Sequence, residues 1–403
     1  MKEGWEIKKL VDVCIVERGS SPRPIEKYQT DSPYGVNWIK IGDTKGIDKY
    51  IYNTKEKITK EGAEKSRYVK EGDFILSNSM SFGKPFIMKT DGYIHDGWFV
   101  LRLHKFIDTE YFFNLLSSPY VNDQFHKLAS GSVVKNISGD LVKKVVLPIP
   151  SLSEQQRIVA ILDEAFAAIA KAKANTEQNL KNAKELFESY LQNVFENKGE
   201  GWEEKTFGEV LQKTESVDPT KKPDEEFIYL DVSSVNKETK EIENETVVLG
   251  KDAPSRARKL IRTNDVIFAT VRPTHSRVAL ITEEYNEQVC STGYFVLRAK
   301  DFLNNNLVYY FLLTYGFNKQ MEKLQKGASY PAVNDSDVKG IIIPFPKSLK
   351  EQQTIVQKLD AFSTETKKLE AIYQQKINDL EELKKSVLQK AFSGELKEKL
   401  AAV

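Results

Sequence analysis

The chain has 403 residues, 29% of them charged, yet 59 Lys and Arg against 58 Asp and Glu leave a formal charge of only +1. That length supports two globular domains with connecting helices, and the near-neutral balance excludes a uniformly basic polyanion binder, so any such site depends on local charge distribution. Two isolated cysteines, Cys14 and Cys290, and the lack of a long apolar run exclude a disulfide framework and a transmembrane helix.

The opening stretch Met1-Lys2-Glu3-Gly4-Trp5 has no apolar run behind a basic end. No secretory signal is expected, no membrane association, and a reducing cytoplasm fits the thiols. Residues 1–150 mix short apolar runs with turn signals. Residues 36–41, 73–76 and 98–103 read as strands and 111–116 as a short helix. Residues 19–24, 31–35 and 131–132 supply Gly, Pro, Ser and Asp punctuation, and 145–150 is an apolar strand stopped by Pro148 and Pro150.

The texture then changes. Residues 153–196 contain neither Gly nor Pro, and Ser153 with Gln156 has the spacing of a capping box. Ile158, Ile161, Ala165, Ile169 and Ala172, then Leu180, Ala183, Phe187, Tyr190 and Val194, follow in steps of mostly three and four, one stripe of a long helix. Residues 199–346 return to the mixed texture, with strands at 265–269 and 293–297, a short helix at 307–314 and a closing strand at 341–346. Residues 349–392 form a second Gly- and Pro-free helix, with a seam of Ile355, Leu359, Phe362, Thr366, Leu369, Ile372 and Tyr373, then Leu380, Leu383 and Val387.

The second half restates the first. Pro148-Ile149-Pro150, Glu154-Gln155-Gln156, Ile158-Val159 and Leu162-Asp163 return as Pro344-Phe345-Pro346, Glu351-Gln352-Gln353, Ile355-Val356 and Leu359-Asp360, at an offset of 196 (148 to 344) or 197 (154 to 351) residues. Gly4-Trp5-Glu6 recurs as Gly201-Trp202-Glu203, and Phe99-Val100-Leu101-Arg102 as Phe295-Val296-Leu297-Arg298. Ser189, Leu191-Gln192 and Phe195 recur as Ser386, Leu388-Gln389 and Phe392. An offset of half the chain marks an internal duplication. The expected fold class is α+β: two similar mixed α/β domains (1–150 and 199–346) separated by two long helices (151–198 and 347–403), with a pseudo-two-fold internal repeat. The helical stripes fit two separate helices, each docked on its own domain, or an antiparallel coiled coil; stripes this long need a partner, which favours the coiled coil.

Candidate contact residues lie in loops. In the second half Lys251, Arg256, Arg258, Lys259, Arg262, Arg272 and Arg277 form a basic run with His275 among them, opposed only by Asp252 and Asp265. Arginine in such loops can fork onto a guanine edge or clamp phosphates; the plain alternative is a solvated charged face. In the first half Ser77, Asn78 and Lys84 follow the strand at 73–76, and Ser20, Ser21 and Arg23 lie in the rigid loop Gly19-Ser20-Ser21-Pro22-Arg23. A third pair of loops, at 131–136 and 327–331, brings Lys135, Asn136 and Tyr330; Lys135 can reach phosphate and Asn136 can pair with an adenine edge.

Other chemistry is poorly represented. The four histidines are scattered, so no metal site is expected, and no phosphate-cradling glycine motif or adenine-methyltransferase signature is present. Pro223-Asp224 with Glu238-Thr239-Lys240 has the look of a Mg²⁺-dependent nuclease site, in a segment so rich in Asp, Glu and Lys that such matches arise by chance.

The whole chain resembles the specificity subunit of a type I DNA restriction-modification system. The resemblance rests on the four-part duplication, on Leu147 to Ile158 and its repeat around Glu351, and on the stretch from Ser386 to Leu396. Gly19-Ser20-Ser21-Pro22 and Trp38-Ile39 in the first domain, and Asp265, Val271-Arg272-Pro273 and Ser291-Thr292 in the second, add to it; the second domain lacks the Gly-Ser-Ser-Pro loop. The resemblance implies a chain without catalysis or cofactor of its own. Its two target recognition domains would each read one half of a split, asymmetric double-stranded DNA sequence. Its helices would space the domains and dock two modification (methyltransferase) subunits, which bring S-adenosylmethionine, and restriction subunits would join with ATP and Mg²⁺. The competing readings are a Mg²⁺-dependent nuclease and a bivalent protein-interaction scaffold.

Overall fold

In a computed structural model of the chain, residues 3–78, 83–129 and 138–396 are described. They fold as two compact α/β units: Met1–Thr176 with Gln375–Val403, and Glu177–Gln374. The division falls in the middle of each long helix, so each unit holds one globular repeat and half of each helix.

In the first unit a five-stranded sheet runs Cys14–Arg18, Trp98–Leu103, Phe74–Ser77, Pro85–Met88, Tyr50–Ile51. Phe74–Ser77 and Pro85–Met88 are buried along their whole length, which explains why they read as continuous apolar runs rather than alternating ones. A four-stranded sheet runs Glu56–Ile58, Val36–Ile39, Gly92–Ile94, Arg67–Val69, with one parallel pairing, Trp38 opposite Tyr93. The closing strand Val146–Ile149 pairs antiparallel with Glu6–Lys9.

The second unit repeats this plan with fewer strands. Its sheets run Thr246–Leu249, Glu226–Leu230, Val289–Ser291, Ala257–Leu260 and Val278–Leu280, Val266–Ala269, Tyr294–Leu297. The parallel pair is Tyr229 opposite Val289, and Ile342–Pro346 closes on Trp202–Thr206.

A buried ion-pair triad braces each unit in the same place. Asp73, 4% exposed, receives Arg102 at 3.1 Å, and Arg102 also pairs with Glu17. Asp265, 1% exposed, accepts from two nitrogens of Arg298, Nε at 2.8 Å and Nη2 at 2.7 Å, while Nη1 reaches Glu215 at 2.8 Å. A carboxylate so deeply buried persists because its counter-charge is hydrogen-bonded to it.

The long helices span Leu152–Glu196 and Leu349–Ser393. The cap of the first differs from the sequence expectation. The hydroxyl of Ser151, not Ser153, accepts the Glu154 N–H at 3.4 Å, and Ser348 does the same for Glu351. The cap lies two residues earlier because Ser151 is the last residue outside the helix, and the Ser-x-x-Glu spacing starts from it.

The duplicated Glu-Gln-Gln motif also has a structural role. Gln155 and Gln352 are fully buried. Gln155 accepts from Asp108 N–H at 2.8 Å and donates to the carbonyls of Phe106 at 3.2 Å and Pro150 at 2.9 Å. Gln352 makes the same three bonds, to Asn304 at 2.8 Å, Phe302 at 3.0 Å and Pro346 at 2.7 Å. Each glutamine ties the start of a long helix to the loop before a short helix and to the end of the closing strand.

The long helices pack on each other in antiparallel fashion. In the first unit Lys173 pairs with Glu381 at 2.8 Å, while Ile158 and Leu162 share a core with Leu388 and Phe392. In the second, Lys184 pairs with Glu370 at 3.8 Å, and Phe362 packs on Phe187 and Tyr190 with centroids 6.1 and 4.9 Å apart. Residue numbers rise on one helix as they fall on the other. Each helix ends in a core: Val387, Leu388, Ala391 and Phe392 in that of the first unit, Leu191 and Phe195 in that of the second. The seam differs in detail from the apolar pattern. Leu369, Ile372 and Leu383, expected on it, are 42%, 59% and 38% exposed, whereas Thr176, outside the expected pattern, is buried within it, as is Thr366, expected there. The two threonines are tolerated because each hydroxyl donates to the carbonyl four residues back, Thr176 to Ala172 and Thr366 to Phe362.

Candidate nucleic-acid interface

In the first unit the expected polar residues converge on one carboxylate, Asp96. It sits in the turn that leads into Trp98–Leu103. Ser21 Oγ donates to it at 2.8 Å and Arg23 Nη2 at 3.1 Å. Asn78, 4% exposed, donates its side-chain N–H to the Asp96 carbonyl at 2.7 Å. The Ser21 hydrogen bond, with His95 and Arg23 nearby, holds the Asp96 carboxyl below the usual range. Ser20 donates to the Lys65 carbonyl at 3.1 Å. Beside this hub lies an open cleft of about 570 Å³, lined by Pro22, Arg23, Ile25, Trp38, Lys40 and His95. His95 Nδ1 accepts the Gly97 N–H at 2.8 Å, and burial lowers the imidazole pKa.

Two further residues of this unit stand differently. Ser77 is fully buried. Lys84 is exposed, donates to the Ile47 carbonyl at 3.0 Å and lies over the Phe86 ring. Lys135, Asn136 and the loop at 131–136 lie outside the described residues. Asp96 was not picked out from sequence: a lone Asp before a glycine signals only a turn, and its partners are 75 and 73 residues away.

The second unit sorts its basic run into engaged and open cations. Arg258 is bound to its neighbour's carbonyl, on Ala257, and to Asp218 at 3.6 Å. Lys259 reaches the Tyr294 carbonyl and Asp335, Arg262 reaches Glu215, and Arg277 donates to the Val235 carbonyl. Arg256 and Arg272 are exposed and enter no ion pair among the described residues. Arg256 borders an open cleft of about 510 Å³ lined also by Tyr229, Asp231, Asn244 and Thr246.

The structure brings Arg272, His275 and Tyr330 together. Two loops distant in sequence are joined where Arg272 N–H donates to the Pro331 carbonyl at 2.7 Å and Val271 bridges to Ala332. The Arg272 guanidinium carbon lies 5.2 Å from the centroid of the Tyr330 ring, and Tyr330 is 73% exposed. His275 is exposed in the same turn; partial desolvation and the cations Lys237, Arg272 and Arg277 hold its pKa below the ordinary value. Arg256 joins this edge through backbone: its carbonyl accepts Thr292 N–H, and the next residue's carbonyl, on Gly293, accepts Thr270 N–H, both at 2.8 Å.

Lys240, part of the nuclease-like fragment, is half-buried and donates to the Ser276 carbonyl at 2.7 Å, so it braces the Arg272 turn. Among the described residues no three His, Cys, Asp or Glu side chains come together in a way that can hold a metal ion. Cys14 and Cys290 are free and buried, with burial pushing both thiols up to about 12. No helix of the described residues is long and apolar enough to cross a membrane.

Residues 2–182 and 199–382 each match the family model described as the type I restriction modification DNA specificity domain. The chain belongs to that family. Specificity subunits of type I restriction enzymes resemble it over nearly its whole length. MjaIX of Methanocaldococcus jannaschii is 25% identical over 98% of this chain and 94% of its own, and EcoKI of Escherichia coli is 21% identical over 98% and 90%. Two solved structures share the fold. A chain from work on complex assembly and conformational transition of the type I restriction-modification system has a TM-score of 0.78 at 20% identity, covering 98% of this chain and 99% of its own. The crystal structure of the HsdS subunit from Thermoanaerobacter tengcongensis has a TM-score of 0.61 at 21% identity, covering 98% of both. The chain is thus a type I specificity subunit, a non-catalytic component of its enzyme, and the nuclease reading of Asp224, Glu238 and Lys240 falls away.

Proposed function

We propose that this specificity subunit reads a bipartite, asymmetric DNA target, one half through each globular repeat, and that its paired helices set the gap between the halves. The observation that carries this is the repetition of one scaffold under two different loop chemistries. The turns after Phe74–Ser77 and Val266–Ala269 are tied to the turns before Trp98–Leu103 and Tyr294–Leu297 by the same bond, Asn78 N–H to Gly97 and Thr270 N–H to Gly293. Those turns carry Asp96 in one unit and Thr292, with Arg256 and Arg272 nearby, in the other. Two like frames with unlike polar edges suit two unlike half-sites, with phosphate contacts setting register and a few side chains choosing bases.

The helices also offer docking surface. Leu186, Leu369 and Ile372 stand 57%, 42% and 59% exposed on them, and such residues suit the two modification subunits, with restriction subunits joining the assembly. Partners that supply much of the phosphate affinity reconcile a net charge of +1 with DNA binding.

Sequencing methylated sites in the host with and without this gene tests the reading: a bipartite motif should vanish on deletion. Replacing residues 1–150 by another such domain should change one half-site alone, and a change in both would overturn modular reading. One added helical turn in each spacer, about 5.4 Å, should alter the gap. A protein-interaction scaffold would instead show no salt-dependent binding to duplex DNA when purified with its methyltransferase partners.

A further inference from the structure

We infer that Arg272 is the side chain through which the second domain selects a guanine in its half-site, with Tyr330 and the pinned turn around it as positioning elements. This rests on the reading of that domain as a DNA reader.

The turn is held far more tightly than a solvated loop needs. Arg272 N–H is bound to Pro331, and Asn318 donates to the Thr274 carbonyl at 3.2 Å and to Ser276 Oγ at 2.6 Å. Lys240 donates to the Ser276 carbonyl, and Arg277 is anchored on Val235. Arg272 and Ser276 both adopt left-handed backbone, at φ 51° and 48°, without being glycine. Non-glycine residues persist there only where their surroundings over-determine them, and such sites cluster where a side chain must be aimed.

What this rigid turn presents is an arginine whose guanidinium donors meet no acceptor among the described residues. The contact with the Tyr330 ring engages the π face and leaves the in-plane N–H donors of the guanidinium available. No carboxylate pairs with Arg272 among the described residues, in contrast to Arg258 and Arg262. A phosphate clamp tolerates a mobile side chain, but a bidentate contact to O6 and N7 of guanine needs a fork of fixed position. Arg256 is equally exposed, but among the described residues no aromatic ring lies under its guanidinium, which suits a phosphate contact.

The test is methylated-site sequencing in hosts carrying the wild-type gene or Arg272→Ala, Arg272→Gln, Tyr330→Leu or Arg256→Ala, with each chain checked for co-purification with its modification partners. Arg272→Ala should relax one guanine position of one half-site roughly ten- to hundred-fold and leave the other half-site intact. Arg272→Gln should shift that position toward adenine, Tyr330→Leu should relax the same position more weakly, and Arg256→Ala should thin all sites without changing their sequence. An unchanged motif under Arg272→Ala, or relaxation at a base other than guanine, overturns the proposal. Should Arg272→Ala abolish methylation altogether, the glutamine variant decides: retained guanine preference refutes the assignment, and adenine preference supports it. Failure of the wider reading looks different, because then deleting the gene leaves the host motif untouched.

Discussion

The two units solve the same folding problem with the same internal parts and then diverge at one edge. Asp73–Arg102–Glu17 and Asp265–Arg298–Glu215 occupy equivalent places, and Gln155 and Gln352 make matching bonds. At the loop edge the first unit ties its cation to a carboxylate: Arg23, itself exposed, and Ser21 are both held by Asp96. The second unit leaves Arg256 and Arg272 without a carboxylate partner among the described residues and braces Arg272 by its backbone and the Tyr330 ring. The interior is fixed by burial, where an error costs several kcal/mol, while an exposed edge can change its polar residues at little cost in stability. That is the physical basis on which one scaffold can carry two specificities.

The strongest challenge to this equivalence is the ion-pair triad. Arg298→Met should leave Asp265 buried without a counter-charge and cost about 3–5 kcal/mol in denaturant unfolding of the second unit. Arg102→Met should cost the first unit less, because Arg102 is 27% exposed against 12% for Arg298. A larger loss at Arg102 would show that the triads are not alike.

Next come the glutamine clamps. Gln155→Leu and Gln352→Leu each orphan one N–H and two carbonyls, so both should destabilise by about 1–3 kcal/mol, and by similar amounts. A clamp that costs nothing would mean that its half of the duplication is held otherwise.

The edges can be made more alike. Asp96→Ala should release Arg23 and Ser21 and give the first unit an open cation like those of the second. Duplex binding by the assembled complex should then steepen in salt dependence by about one phosphate contact. An unchanged or shallower slope would contradict the role given to Asp96.

The smallest effect concerns acid. Burial depresses the His95 pKa, so its NMR titration midpoint should fall below the ordinary value of about 6.5. Between the folded and unfolded pKa values the unfolded chain binds more protons. The stability contributed by neutral His95 is therefore full above about pH 6.5 and declines as pH falls toward the folded pKa. His275 lies in a more exposed, more cationic setting in the second unit, and its midpoint should be depressed too. A midpoint above 6.5 at either residue would reverse the sign.

Much of this frame was legible in the amino-acid order. Repeated motifs survive because Gln155 and Gln352 are buried and irreplaceable by shape and bonding, and long Gly- and Pro-free stretches read directly as helices. The seam was less legible: Leu369 and Ile372 are apolar but exposed, while Thr176 is polar and buried, because helix pairing selects by angular position and internal hydrogen bonding as well as by hydropathy. The edge was least legible. Arg258, Arg272 and Arg277 look alike in sequence, and only tertiary partners such as Asp218, Tyr330 and the Val235 carbonyl tell them apart.

The burial of Val387, Leu388, Ala391 and Phe392 in the first unit's core has a consequence for synthesis. Tyr111, on the short helix Thr109–Leu116, packs edge-on against Phe392 with centroids 5.4 Å apart, so the first repeat's core waits for side chains made after the whole second repeat. The N-terminal repeat leaves the ribosome with a greasy notch that stays unfilled until residues 387–392 have been made. The second repeat has its complete set of core residues sooner. A nascent chain stalled before residue 387 should therefore bind chaperones through its older half, the reverse of the usual order in which N-terminal domains finish first.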